Sequence, residues 1–192
     1  WFRRIWRLGF VVVCPEHGIA LLDACPACGS PVVPHRSLRL DLTRCHQCGA
    51  FLGSRVRANL PATGALEWQA NLLGALSGST RDVGPFSLAE VFATVRSLLS
   101  ILTVRSMHAA LRDEFHLAPA TLPVSRLQFE HARATERALM METLAAWLAS
   151  WPATFRIGAN TVSLTQRTFH RLRQPPTLRM ELKRLPTGNG RN

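Results

Sequence analysis

The stretch Val11–Ser30, VVVCPEHGIALLDACPACGS, holds a Cys-x-x-His pair (Cys14, His17) and a Cys-x-x-Cys pair (Cys25, Cys28). Downstream, CHQCG supplies a third pair, Cys45 and Cys48. The last two pairs read C-x2-C-x16-C-x2-C, a spacing in which two tight turns each present two thiolates to one ion. Disulfides are the competing reading. Five cysteines is an odd number, and two-residue separations suit chelation better than a bridge. Cys25, Cys28, Cys45 and Cys48 are therefore expected to hold one structural zinc with no open coordination position.

Cys14 and His17 are left over, because three pairs make six ligands and a tetrahedral site takes four. They could form a nucleophilic dyad, pack incidentally, or be half of a second zinc site. CPEHG has the local form of a metal-binding turn, which favours the third reading and places the missing half ahead of Trp1. Gly18, Gly29, Gly49 and Gly53 sit where tight turns are needed, and glycine commonly follows the second ligand of a metal turn because the chain must turn there with positive φ. His35 and His46 are not needed as ligands beside four thiolates.

The 192 residues, 47% hydrophobic, are enough to bury a core, and no apolar run approaches the ~18 residues of a membrane span. WFRRIWRLGFVVVC sets a basic stretch before an apolar one, but Leu8–Val13 is too short for a signal peptide. A cytoplasmic bacterial protein is expected. Because the chain opens on Trp1 rather than Met, it is expected to begin inside a longer protein.

Charge is unevenly spread. Residues 1–57 carry a net +5, residues 58–166 are neutral, and residues 167–192 carry +6. Two basic ends around a neutral centre point to a polyanion, most simply nucleic acid. One candidate arm is Arg36, Arg39, Arg44, Arg55 and Arg57. The other is Arg167, Arg171 and Arg173, where the i, i+4 spacing of 167 and 171 would put two guanidinium groups on one helix face, continued by Arg179, Lys183 and Arg184. Solvated arginines covering helices are the plainer alternative.

The expected fold is a small zinc-ribbon module over 1–57, followed by a mainly α-helical domain over 58–192 with few short β-strands and a helix-turn-helix-like C-terminal part. Residues 10–54 read as short β-like pieces (FVVVC, SPVV, RLDLTRC) and turns. Helical texture then begins, with TGALEWQANLLGALSG ending at Gly78 and a Ser87/Glu90 capping box opening the next helix after Gly84-Pro85. A short helix over SMHAALRDEFHL and a long one over SRLQFEHARATERALMMETLAAWLAS follow, the latter stopped by Pro152 with Trp147 and Trp151 in the core. A second capping box, Ser163/Gln166, is expected to start LTQRTFHRLRQ, and Pro175-Pro176 to end it before a last helix with Leu178, Leu182 and Leu185 inward. Asp113, Glu114, Glu130 and Glu136 fall on exposed helical positions, and no constellation of three acids marks an enzyme.

The run WRLGFVVVCPEHGIALLDACPACGSPVVPHR followed by CHQCG resembles the TniQ/TnsD family of transposition proteins, densely from Trp6 to Leu52. Over the helices the likeness is texture: ALMMETLAAWLASWPATF is similar to that family's leucine-rich helix, Trp-Pro and Phe. The resemblance implies an upstream Cys pair completing a zinc site with Cys14 and His17. It also implies a non-catalytic adaptor in DNA transposition that binds target DNA or a target-bound complex, in some cases RNA-guided or with a second TniQ copy. The implied protein partner is an AAA+ transposition ATPase, which such adaptors recruit beside a DDE transposase. A stand-alone zinc-ribbon nucleic-acid regulator is the alternative, but it leaves the CPEHG…CPACG run unexplained. A zinc hydrolase would need an open metal position and a general base, which the sequence does not offer.

Overall fold

The computed structural model describes residues 8–33, 36, 41–53, 63–80, 82–120, 122, 128–170 and 174–188. The expected module boundary at 57/58 lies outside them.

Helix α1 (Thr63–Ser77) buries Ala65, Trp68, Leu72 and Ala75, a stripe at helical spacing, and ends where Gly78 turns at φ +74°. A hairpin that the sequence reading missed follows: β1 (Asp82–Val83) pairs antiparallel with β2 (Phe86–Ser87). Gly84 and Pro85, expected only as a break, form its turn, with Gly84 at φ +59°. Phe86 is fully buried there.

Helix α2 (Leu88–Leu102) starts at the expected capping box. Glu90 Oε2 accepts from Ser87 Oγ at 2.8 Å, while Oε1 accepts from the N–H and Oγ of Thr177, each at 2.9 Å. One carboxylate thus serves two helix starts, 87 residues apart. Its pKa is held below the ordinary glutamate value, by the Thr177 N–H first and the Ser87 hydroxyl next.

Helix α3 (Arg105–Glu114) turns His108, Leu111 and Arg112 inward. The Arg112 guanidinium donates to the Ala118 carbonyl and, at 2.8 Å, to Glu142 on α4 (Ala134–Leu148). His108 Nε2 lies 3.1 Å from Thr143 Oγ1, also on α4. This pair joins α3 to α4, and removing either partner would leave the other charge buried without its counter-ion.

Desolvation lowers the His108 pKa to about 4. The unfolded chain therefore binds a proton that the folded one refuses, so stability falls as pH drops from the ordinary histidine value of about 6.5 towards 4. The loss should reach about 3 kcal/mol at pH 4 relative to pH 8. Urea unfolding of wild type and His108→Gln across that range checks it: the two profiles should converge as pH falls. Parallel profiles would contradict the assignment.

Helix α4 corrects the expected long helix. The chain makes a single 3-10 turn at Phe129–His131, and the helix starts only after Arg133, whose N–H donates to Glu136 at 2.7 Å. The expected stripe is buried nonetheless: Ala134, Ala138, Met141, Ala145, Leu148, Leu144 and Trp147. Trp151 is half-buried, edge-on to Phe86 at 4.9 Å and tilted on Phe155 at 4.9 Å.

Helix α5 (Ala153–Thr161) was not expected. The expected Ser163/Gln166 box is also absent. Ser163 sits at φ +50° just past α5, and the segment forms a 3-10 turn over Gln166–Phe169 opened by Thr165 and Thr168. Residues 171–173 lie outside the description. Helix α6 (Pro176–Leu182) matches expectation, with Pro176 at its first position, Leu178 and Leu182 buried, and Arg179, Lys183 and Arg184 exposed. Helix α4 lies at the centre, packed by α1, α2, α3 and α5.

Candidate metal centre and basic surfaces

Three turns of one form run in series through residues 12–52. In each, the first Cys N–H donates to a carbonyl five residues on: Cys14 to Ile19 (2.8 Å), Cys25 to Ser30 (2.7 Å), Cys45 to Ala50 (2.9 Å). Each Cys carbonyl accepts from the glycine four residues later, at 2.8, 2.8 and 2.9 Å. Gly18, Gly29 and Gly49 stand at φ +62°, +73° and +72°, which a side chain would resist. Single antiparallel bridges close the turns, Val13 with Ala20, Ala24 with Pro31 and Arg44 with Phe51. Among the described residues, the segments expected as β pieces make these bridges rather than strands.

The second and third turns bring their sulfurs together. Cys25 Sγ lies 3.7 Å from Cys48 Sγ, Cys28 Sγ lies 3.7 Å from Cys45 Sγ, and all four are within 4.8 Å of one another. An ion with metal–sulfur bonds of about 2.3 Å needs a tetrahedral edge of about 3.8 Å, so the cluster could hold a metal ion. Among the described residues it is the one group of three or more metal-ligating side chains. The Ala27 N–H donates to Cys25 Sγ at 3.4 Å, the bond by which a thiolate turn is steadied.

The sulfurs share protons unevenly. Hydrogen bonds from the Ser30 hydroxyl and backbone lower the Cys28 pKa to about 6. At Cys48 the Ala50 N–H pulls downward, but hydrogen bonding with the other thiols and desolvation win and raise it to about 12. Four thiolates this close repel one another, and a bound cation is what would let all four ionise.

Cys14 and His17 lie on the first turn, with Sγ 3.2 Å from Nδ1. That turn is joined to the helices. The buried Gln69 side chain on α1 accepts from the N–H of Val12 (2.7 Å) and Val13 (3.0 Å) and donates to the Val13 carbonyl (2.9 Å). Asp23 accepts from the Ala134 N–H at the start of α4, where the helix dipole favours a carboxylate. Arg137 donates to the Gly9 carbonyl at 2.7 Å, and Val12 and Val13 pack on Ala138 and Leu66. Sequence reasoning missed Gln69, Asp23 and Arg137, which look like surface residues of their own segments.

Of the first basic arm, Arg36 is exposed, and Arg44 is shared between the Gly49 carbonyl (3.1 Å) and Asp41 (3.6 Å). Arg39, Arg55 and Arg57 lie outside the described residues. In the second arm, Arg167 sits on a four-residue 3-10 turn rather than a helix, and its expected helical partners Arg171 and Arg173 are outside the description. Arg179 and Lys183 lie four apart on and just past α6, and Arg184 is drawn to Glu181 at 3.8 Å. On α5, Arg156 forms a two-pronged pair with Glu181 (2.6 and 2.9 Å) and Thr161 donates to Glu114 (2.8 Å). Those side chains are committed to holding α5 in place. No family model, curated protein or solved structure matches this chain.

Proposed function

We propose that this chain is a TniQ-like adaptor of DNA transposition, which binds target DNA or a target-bound complex and recruits an AAA+ transposition ATPase. The observation that carries the reading is the order of its parts. A Cys-x-x-His turn and two Cys-x-x-Cys turns of one geometry run in series ahead of a helical core; the first turn is docked on that core through Gln69 and the start of the second through Asp23. This is the arrangement the resemblance over Trp6–Leu52 leads one to expect.

In this reading Cys25, Cys28, Cys45 and Cys48 hold one structural zinc, which four thiolates at tetrahedral spacing suit better than a harder ion. Cys14 and His17 are half of a second site. Supplying a Cys-x-x-Cys pair ahead of Trp1 should raise bound zinc from about one to about two per chain. A count that stays at one removes that assignment.

The adaptor role is tested by capture. Immobilised protein is expected to retain the AAA+ ATPase encoded beside its gene, and to retain more of it on duplex DNA. Failure to retain the ATPase under both conditions contradicts the role.

A further inference from the structure

Arg167 sits on a 3-10 turn over Gln166–Phe169 rather than on the helix expected over 164–174. The 3-10 turn and α6 face each other across a pocket of about 430 Å³ lined by Arg167, His170, Arg179, Lys183, Gln166 and Gln174. Hydrogen bonds that use no cationic head group of Arg167 or Lys183 fix its walls. Gln166 donates through its backbone N–H to the Pro186 carbonyl (3.0 Å) and through Nε2 to the Leu185 carbonyl (2.9 Å), tying the turn to the chain just past α6. The Arg179 guanidinium donates to the Gln174 carbonyl at 3.0 Å, which leaves most of its five N–H groups for other acceptors.

No acid lines the pocket. Among the described residues Arg167, Arg179 and Lys183 form no ion pair, and the one acid of α6, Glu181, is turned to Arg156 and Arg184. Three cations held in one concavity without an anion repel one another, and a concave wall concentrates their field. A ligand that relieves this must be anionic. It must also accept from donors arriving from the turn on one side and the helix on the other. A tetrahedral phosphate meets that requirement better than a planar carboxylate, which is matched by a single fork.

We propose that this pocket seats a phosphate group, presented by a nucleic-acid backbone. The proposal rests on the nucleic-acid part of the reading above and not on the recruitment of an ATPase. It assigns Arg167, Arg179 and Lys183 to the contact and leaves Arg184 out, because Arg184 does not line the pocket and is drawn to Glu181. Contacts of this kind position the duplex without reading bases.

The test compares wild type, Arg179→Gln/Lys183→Gln and Arg184→Gln, all changed at exposed positions. Binding to a mixed-sequence duplex is followed at several salt concentrations, and binding of inorganic pyrophosphate by phosphorus NMR. The double variant should shallow the slope of log affinity against log salt by about 1.8, two contacts at about 0.9 each, while Arg184→Gln keeps the wild-type slope. Duplex binding with an unchanged slope in the double variant overturns the pocket and leaves the nucleic-acid reading standing. Pyrophosphate binding that the double variant loses, with no duplex binding by wild type, keeps the phosphate pocket and overturns its nucleic-acid source. Neither ligand binding wild type overturns both.

Discussion

Replacing Cys45 with serine should abolish metal binding and unfold residues 24–52 while leaving α1–α6 assembled. Serine keeps the shape of cysteine but has no sulfur, and its hydroxyl stays protonated at neutral pH. The two turns concerned span too few residues to bury a core, and chains below about 40 residues usually need a metal or disulfides to fold. Structural zinc supplies an apparent ~10–16 kcal/mol of binding energy that doubles as folding energy. Losing one of four ligands, and leaving three thiols within 4.8 Å of one another, removes most of it. The first turn should survive, because Gln69 and Arg137 hold it to α1 and α4. Helical circular dichroism should change little, while protease cleavage concentrates between residues 24 and 52. Global unfolding of Cys45→Ser would show instead that the helices depend on the metal.

The largest effect inside the helical core is expected at the contact between α4 and α5. Trp147 is fully buried, stacks on Phe155 with ring centroids 5.7 Å apart, and donates from Nε1 to the Phe155 carbonyl at 3.1 Å. Trp147→Ala should cost ~3–5 kcal/mol, the range for removing a buried aromatic. Its counterpart is Gly158. A Cβ there would collide with Trp147 Nε1 and fall 2.8 Å from Leu111 Cδ2. Gly158→Ala, which would help an exposed helix, should therefore destabilise by about 1–3 kcal/mol through overpacking. Chemical denaturation of both variants measures this. A neutral or stabilising Gly158→Ala would mean that α5 does not approach Trp147 so closely.

The same pair explains why α5 was not legible. FRIGANTV contains Gly158, Asn160 and Thr161, all poor helix formers, and reads as a turn. The glycine is there for the indole of another helix. Where signals are local, sequence reading succeeded: the end of α1 at Gly78, the Ser87/Glu90 box, the glycine of each cysteine turn and the four-cysteine cluster itself. Distant partners escaped it. The start of α4 is set by Glu136, which accepts from the Arg133 N–H, and by Asp23, 111 residues away, which accepts from Ala134; the second partner has no mark in the local sequence. Thr177 likewise has its acceptor in Glu90. Arg167 and Arg171 have helical spacing, but Gln166–Phe169 makes a 3-10 turn, so Arg167 and the cations of α6 line one pocket from two elements.

The four-sulfur cluster is central, since a metal held there would anchor residues 24–52 and the adaptor reading rests on it. Metal content of the purified wild-type chain, set beside that of Cys45→Ser, addresses it most directly. The account predicts about one zinc per wild-type chain and close to none in the variant. A wild-type protein purified without chelator that carries no zinc, or a variant that carries as much as wild type, would contradict it.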